Sequence, residues 1–259
     1  MKDQIDSIGN SEAMERLLDY WKVRLANAPT LELPTDRPRP AVQSFSSKTQ
    51  QFNVSLDLTE ELKSLSQCEG VSLFSTLVSA FQVLLHRYSG QDDIVIGTLS
   101  AEQPSCLEPE NANTLVLRTD VSNNPSFREL LIQVREVVLG AYTNQDIAFE
   151  KLVETLNPQH DSSRNPLFQV MFIFHDKPQS IPNVDTGTAV CDLTIELSET
   201  PHGLIGSVKY ATDSFETSTI DRLISHSQTL LNGIVPHPEA RLSELPLLTE
   251  SECQQLLVE

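Results

Sequence analysis

Histidine and cysteine are the residue types in this sequence that could act as a general base or a nucleophile near neutral pH. The chain has six histidines and four cysteines. His175 and Asp176 are adjacent after an apolar run, and a histidine beside a carboxylate at a strand end could serve acyl transfer or hydrolysis. His86 ends an apolar helical pattern, which favours a role at the helix C-terminus or in the core. His160 and Asp161 fall in a polar segment that favours a turn.

The four cysteines are widely separated and none belongs to a CxxC pair, so we expect neither a metal site nor a disulfide framework. Cys68 falls in a predicted helix and Cys191 in a predicted strand, where a free cysteine usually acts as a small buried hydrophobe. Cys106 lies in a polar loop without an assignable base. The sequence also lacks the GxSxG elbow and the GxxxxGK[ST] phosphate loop. The residues alone therefore predict no catalytic constellation.

The charge balance is strongly acidic, with 36 acidic and 18 basic residues and a formal net charge of −18. Such a surface repels nucleic-acid phosphates and anionic lipids, so we expect neither nucleic acid nor membrane as a partner. The first ten residues are polar, and the longest apolar-rich stretch, residues 73–85, is too short to cross a bilayer. These features predict a cytoplasmic protein.

Apolar periodicity predicts helices that alternate with strands in one α/β sandwich. Helices are predicted at residues 11–28, 59–67, 72–88, 125–141, 148–156 and 218–233. Strands are predicted at 50–56, 93–97, 114–119, 167–174, 193–197 and 204–210, and the continuous apolar run at 167–174 suggests burial on both faces. Prolines at 29, 34, 38 and 40 exclude a regular helix from the segment between them.

Several segments resemble motifs of the condensation domains of nonribosomal peptide synthetases. Residues 20–38, with YWK and LPTDRP, are similar to the bridge between the family's two lobes, and residues 70–74 and 85–93 to the following helix and turn. Residues 113–118 read NTLVLR, and residues 144–150 resemble (H/N)QDxPFE, with Ala148 where proline is usual. Residues 161–168 resemble RDxSRNPLFQ, with His160 in place of its first arginine. The family-motif positions are Asn144, Gln145, Asp146, Phe149, Glu150, Arg164, Asn165 and Pro166. The degenerate positions of the expected contact between lobes are Glu102, Gln103 and Asn113.

The resemblance implies a fold of two lobes, each similar to chloramphenicol acetyltransferase, with a tunnel between them. This chain corresponds to one such α/β lobe, a mixed β-sheet covered by helices. The resemblance also implies three regions: a bridge helix and Pro-rich linker at 1–40, the C-terminal lobe at 41–240, and a linker toward an adenylation domain at 241–259.

The family's HHxxxDG motif belongs to the other lobe, where its second histidine assists attack of an amine on a thioester. The present sequence contains no His-His pair. A general base must lie within hydrogen-bond reach of its proton, so the resemblance implies that this chain alone lacks the base.

The segment before Asn113 departs from the family pattern. Glu102 and Gln103 lie where the family has SPVANRN, and Gln103 replaces an arginine thought to pair with the aspartate of HHxxxDG. Residues 108–112 replace the apolar IGFFV. Because the base, its aspartate and this arginine are all missing, we interpret the chain as a degenerate half-domain.

Three functions fit these observations. The first is a truncated, non-catalytic condensation domain that acts as a structural platform or recruitment surface. Its partners would be the adenylation domain and carrier proteins, and also a trans-acting tailoring enzyme. The second is the C-terminal half of a split enzyme that forms amide bonds when paired with an HHxxxDG lobe. The third is an unrelated acyltransferase or hydrolase that uses His175 or Cys106.

The first two functions require no cofactor on this chain, since phosphopantetheine would be carried by partner carrier proteins. A lobe without its partner should expose an apolar patch, which predicts self-association or a covering domain.

Overall fold

Helices and strands alternate along the chain in a computed structural model, which describes residues 14–42, 46–100, 113–158, 161–177 and 191–258. The helices are α1 (14–24), α2 (Leu56–Cys68), α3 (Leu73–Ser89), α4 (Phe127–Thr143), α5 (Phe149–Leu156), α6 (Thr217–Ile234) and α7 (Glu250–Val258). The strands are β1 (Ser47–Val54), β2 (Asp93–Leu99), β3 (Thr114–Asp120), β4 (Val170–His175), β5 (Leu193–Thr200) and β6 (Gly203–Ala211).

The six strands form one mixed sheet in the order β1-β6-β5-β4-β2-β3. Strands β2, β4 and β5 are mutually parallel, whereas β1 with β6, β5 with β6 and β2 with β3 pair antiparallel. Helices α3, α4 and α6 pack against the sheet, and α3 also packs against both α4 and α6. The predicted α/β sandwich with a mixed sheet is therefore confirmed.

Helix α3 is the central helix, as its apolar pattern predicts, and every residue from Ser75 to Leu85 is buried. Ser72 caps its N-terminus by accepting from the Ser75 backbone N–H at 3.1 Å, and Gly90 ends it with a φ of +69°. Within the described residues, no single helix has the length and apolarity to span a bilayer. Helices α2 and α3 meet those criteria only as a pair, across a bend of 105°.

Several predicted boundaries are wrong by a few residues, including the end of α1, the starts of α2 and β1 and the end of β5, and local capping explains two others. Helix α4 begins at Phe127 and not at Pro125, because Ser126 and Glu129 form a reciprocal capping box. Strand β1 ends at Val54, because the Ser55 hydroxyl accepts from Leu58 N–H and starts α2. Strand β4 starts at Val170, three residues after the predicted start.

Strand β4 is also not buried on both faces, contrary to the prediction. Val170 and Phe172 are buried, but Met171 and Ile173 between them are only partly covered. Helices cover one face of these strands, and the other face carries partly exposed side chains, including Ile205 of β6, which is 40% exposed. By contrast, the predicted alternation of Leu193, Ile195 and Leu197 is confirmed, and all three are buried.

Residues 29–42, here called the strap, run across the amino ends of the parallel strands. The Glu32 N–H donates to Gln91 beside the start of β2 at 2.6 Å, and Arg39 pairs with Asp192 beside the start of β5. Asp36 accepts from the Glu216 N–H at 2.7 Å and from the Thr219 hydroxyl at 2.8 Å. Because Glu216, the N-cap of α6, makes no side-chain cap bond of its own, Asp36 caps that helix from the strap.

Gln82 is fully buried in α3, and neither its side-chain oxygen nor its nitrogen has a partner among the described residues. Burying an amide without hydrogen bonds costs about 1–3 kcal/mol. We therefore expect Gln82→Met, which nearly conserves volume, to raise the thermal unfolding midpoint by a few degrees. Gln133→Met is the matched control. Its amide donates to the Asp120 carbonyl at 2.8 Å, so that substitution should not stabilise. A lower midpoint for Gln82→Met would contradict the expectation.

Candidate functional site

In an open α/β sheet, a ligand-binding or active site is expected at the carboxyl ends of the parallel strands. In this chain those ends are Leu99, His175 and Thr200 of β2, β4 and β5. Asn113 adjoins the first of them, since the backbone N–H of Ser100 donates to the Asn113 carbonyl at 2.8 Å. Part of the predicted motif set therefore reaches this edge of the sheet.

Asn113 organises the loop between α4 and α5 through its side-chain amide. Its Nδ2 donates to the carbonyl of Gln145 at 2.7 Å and also to that of Ile147, and its Oδ1 accepts from the Phe149 N–H at 3.2 Å. One side chain thus satisfies three backbone groups that the loop itself leaves unpaired. Asn113 and the 144–150 motif, widely separated in sequence, form a single structural unit.

Helix α1 holds the same loop from another direction. Trp21, 2% exposed, donates from its indole Nε1 to the Asn144 carbonyl at 3.0 Å. Asn144 is the C-cap of α4, and its side chain donates to the Gly140 carbonyl at 2.8 Å. Tyr20 packs against Gly140, where a Cβ would collide with the tyrosine hydroxyl. The bridge residues therefore contact the motif loop directly.

Ala148, which stands where the family has proline, keeps a backbone that proline would accept. It is the N-cap of α5 with φ −62° and ψ 138°, close to the φ that a pyrrolidine ring imposes. The following residue, Phe149, packs on Phe168 with ring centroids 5.7 Å apart, and Phe168 lies against Gly97 of β2. The substitution therefore leaves the local fold unchanged.

The exposed polar members of the motif loop make no catalytic arrangement with one another in the described residues. Asp146 and Glu150 are exposed, and Glu150 lies in the first turn of α5, where a carboxylate favours the helix dipole. Gln145 is partly buried, and its carbonyl serves Asn113. The loop thus presents two carboxylates at the sheet edge.

The predicted residues Arg164, Asn165 and Pro166 lie at the opposite, amino edge of the sheet. Arg164 forms a two-point ion pair with Glu32 of the strap, at 2.6 and 3.0 Å. Asn165 accepts from Leu167 N–H at 3.3 Å through its side chain and from the Gln169 amide at 3.0 Å through its carbonyl. Arg164 therefore helps to hold the strap and Asn165 the connection to β4, while Phe168 of the same motif contacts Phe149 of the 144–150 loop.

Arg39 and Asp192 form the most buried ion pair among the described residues, with side chains 16% and 3% exposed. Arg39 donates to Asp192 through both terminal nitrogens and also to the Ser163 carbonyl at 3.3 Å. The hydrogen bond to Asp192 raises the pKa of Arg39, so the guanidinium stays charged. No local sequence pattern predicts this pair, because its two members lie 153 positions apart.

His175 ends β4, as predicted, and its Nε2 lies 2.8 Å from Glu196 on the neighbouring strand β5. A histidine–carboxylate pair can orient an imidazole, but base catalysis also needs a proton-bearing group at the second nitrogen. His86, near the end of α3, contacts the Gln91 carbonyl at 2.9 Å through Nδ1, in accord with its predicted structural role. Glu102, Gln103, Cys106 and His160 lie outside the described residues.

The buried cysteine Cys191 provides no activated thiol. Cys191 is 2% exposed, and burial raises the pKa of its thiol to about 11, so it is protonated at neutral pH. Cys68, in contrast to the prediction of a buried hydrophobe, is exposed at the last residue of α2. Among the described residues, no cluster of three or more His, Cys, Asp or Glu side chains could hold a metal ion.

Sequence comparison relates this chain to multidomain synthetases. The family model named Condensation domain matches residues 3–257. The chain is 41% identical to chondramide synthase cmdD of Chondromyces crocatus, over 95% of its own length and 7% of that protein's. It is 37% identical to the dimodular nonribosomal peptide synthase of Bacillus subtilis (strain 168), over 99% of this chain and 12% of that protein. The chain therefore spans a small fraction of these relatives' lengths.

Structure comparison gives the same assignment of the fold. The crystallised X-domain from teicoplanin biosynthesis is 26% identical, with a TM-score of 0.83 over 90% of this chain and 57% of that one. The complex of the X-domain and OxyB matches with a TM-score of 0.84 over 92% and 56% of the two chains, again at 26% identity. A four-domain nonribosomal peptide synthetase bound to AMP and glycine is 27% identical, with a TM-score of 0.82 over 93% and 20%.

Proposed function

We propose a non-catalytic role for this chain, which belongs to the condensation-domain family of nonribosomal peptide synthetases. It serves an assembly line as a structural platform and recruitment surface, and it forms no amide bond by itself. The observation that carries the proposal is the engagement of its histidines. His86, His175 and His226, the buried or partly buried histidines described, each contact a backbone carbonyl, a carboxylate or a tyrosine. The sequence contains no His-His pair.

The platform would act through the surfaces around the sheet. The related X-domain was crystallised in a complex with OxyB, which supports recruitment of a second protein as a role for this type of lobe. Partly exposed apolar residues on the open sheet face, such as Ile205, offer contact area to an adenylation domain, a carrier protein or a second copy. We expect the chain to act in the cytoplasm without a cofactor of its own, since phosphopantetheine would arrive on the carrier protein.

We expect the purified chain to yield no amide product from a donor and an acceptor carrier protein loaded with aminoacyl groups. The physical reason is that the attacking amine has no positioned proton acceptor. The measurement is mass spectrometry of the acceptor carrier protein after incubation. A complete condensation domain with an intact HHxxxDG motif is the positive control. Product above the level formed by the carrier proteins alone would overturn the proposal.

A split enzyme is the second candidate, and the intact Asn113 network favours it. That network keeps the motif loop in a defined conformation although residues 108–112 depart from the family sequence. In this case a separately expressed HHxxxDG lobe should co-purify with the chain, and the mixture should form the amide that neither component forms alone. Failure of the two lobes to form a complex at micromolar concentration would exclude this function.

A further inference from the structure

Residues 86–91, which are the last turn of α3 and the two residues after it, contact two segments that are far apart in the sequence. The Gln91 side chain donates to the Thr30 carbonyl at 3.0 Å and accepts from the Glu32 N–H at 2.6 Å, so it fixes the start of the strap. Arg87 and Tyr88, on the same turn, contact residues 238–258, here called the arm, directly or through His226. Six consecutive residues thus connect the strap and the arm.

Arg87 fixes the first half of the arm. Its Nη1 lies 3.1, 3.3 and 3.2 Å from the carbonyl oxygens of Leu242, Ser243 and Leu245. Leu242 and Leu245 are 0% and 2% exposed, and the Leu242 N–H donates to the Pro125 carbonyl at 3.0 Å. Residues 242–245, predicted to begin a linker, therefore belong to the packed lobe.

Helix α7 forms the second half of the arm and is largely exposed beyond its first turn. Thr249 and Glu252 cap it reciprocally: the Thr249 N–H donates to Glu252 at 2.8 Å, and the Glu252 N–H donates to the Thr249 hydroxyl at 3.3 Å. The Glu252 carboxylate also lies 2.9 and 3.0 Å from Nε2 of His226 on α6. The capping residue of α7 is therefore also its tertiary anchor.

His226 connects Glu252 of α7 to Tyr88 of α3. It is 5% exposed, and its second nitrogen, Nδ1, lies 2.7 Å from the Tyr88 hydroxyl. The two rings pack edge to face with centroids 5.8 Å apart. Tyr88, His226 and Glu252 thus form a continuous hydrogen-bonded chain from α3 through α6 to α7.

The hydrogen bonds through His226 join an ionised carboxylate to a protonated tyrosine hydroxyl. Donation from the Thr249 N–H and hydroxyl, and then the contact with His226, lowers the pKa of Glu252 to about 2, so that carboxyl is ionised at neutral pH. Burial raises the pKa of Tyr88 to about 12, so its hydroxyl stays protonated and can donate or accept. Arg222 on α6 is the cation facing Tyr88.

We infer that Arg87, Tyr88 and His226 are positioning residues that fix the arm to α3 and α6 and so set the direction in which α7 leaves the lobe. A domain attached beyond α7 would be held in a defined orientation by the same turn that holds the strap. This role requires only the contacts of the arm and is independent of the proposed function.

Amide hydrogen exchange in the 259-residue chain tests this role of the turn. Tyr88→Phe changes no residue of α7 but removes the hydrogen bond between the Tyr88 hydroxyl and His226. Loss of this one bond should speed amide exchange of residues 253–256 about fivefold. His226→Phe removes both contacts and should speed it more than tenfold. Tyr210→Phe is the matched control. Tyr210 contacts the hydroxyl of Thr217, the first residue of α6, at 2.9 Å, so this variant should leave exchange of residues 253–256 unchanged.

A second pair of variants separates the two segments that the turn holds. Gln91→Ala should speed exchange of the Glu32 amide and leave α7 unchanged, because its contacts are to the strap. Unchanged exchange of residues 253–256 in both Tyr88→Phe and His226→Phe would overturn the inference. If circular dichroism shows that His226→Phe is unfolded, exchange of residues 253–256 in Tyr88→Phe alone tests the inference.

Discussion

Replacing Arg39 with alanine should lower the free energy of unfolding by about 3–5 kcal/mol, the largest effect we expect from a single substitution in this chain. The substitution leaves Asp192, whose side chain is 3% exposed, as a buried carboxylate without its cation. It also removes the strap's contact with the Ser163 carbonyl. Urea denaturation followed by circular dichroism measures the loss.

Arg37→Ala is the matched control, two residues away on the same strap. Arg37 pairs with Glu216 at 3.2 Å, but both side chains are about half exposed, at 51% and 53%. Its loss should cost about 1 kcal/mol or less, although it also donates to the Thr212 carbonyl. The double substitution Arg39→Met with Asp192→Leu should recover much of the stability, because no buried charge then remains. Equal effects of Arg39→Ala and Arg37→Ala would refute this account.

Replacing Asn113 with aspartate should destabilise the chain by about 2–3 kcal/mol, although the two side chains have nearly the same shape. Aspartate retains the oxygen that accepts from Phe149 N–H but cannot donate to the carbonyls of Gln145 and Ile147. A carboxylate would instead face two carbonyl oxygens. Chemical denaturation measures the stability, and amide exchange of residues 145–149 reports the loop itself.

Asn232→Asp provides the control for the Asn113 substitution. Asn232 is exposed in the last turn of α6 and donates to the Gln228 carbonyl at 2.7 Å. Losing this donor to solvent and placing a carboxylate near the helix C-terminus should together cost about 1 kcal/mol or less. If Asn113→Asp were as mild as Asn232→Asp, the 144–150 loop would not depend on Asn113. Other contacts would then have to stabilise the conformation of residues 144–150.

The contacts of the motif positions give them a structural role. Asn113 and residues 144–149 stabilise one edge of the sheet, while Arg164 and Asn165 stabilise the strap and its connection at the other edge. A lobe that depends on these contacts for its shape keeps them whether or not it supplies a catalytic base. Their presence is therefore compatible with both the platform and the split enzyme.

Most helices and strands of the fold can be predicted from local sequence, because their formation depends on neighbours within a few residues. Helix α3, apolar on most sides and capped by Ser72, and the alternation of Leu193, Ile195 and Leu197 appear as predicted. The misplaced start of α4 came from the same local chemistry, since Ser126 and Glu129 outcompete Pro125 for the first turn.

The contacts between groups far apart in the sequence depend on the three-dimensional fold and could not be predicted locally. Asp36 caps α6 from 180 residues away, Arg39 finds Asp192, and Tyr88 reaches Glu252 through His226. The two family motifs at 144–150 and 161–168 meet through Phe149 and Phe168, while Arg164 of the second motif reaches Glu32 of the strap, 132 positions away. The order of strands fixes these distances, and strand order is set by burial of all six strands together and not by any local pattern.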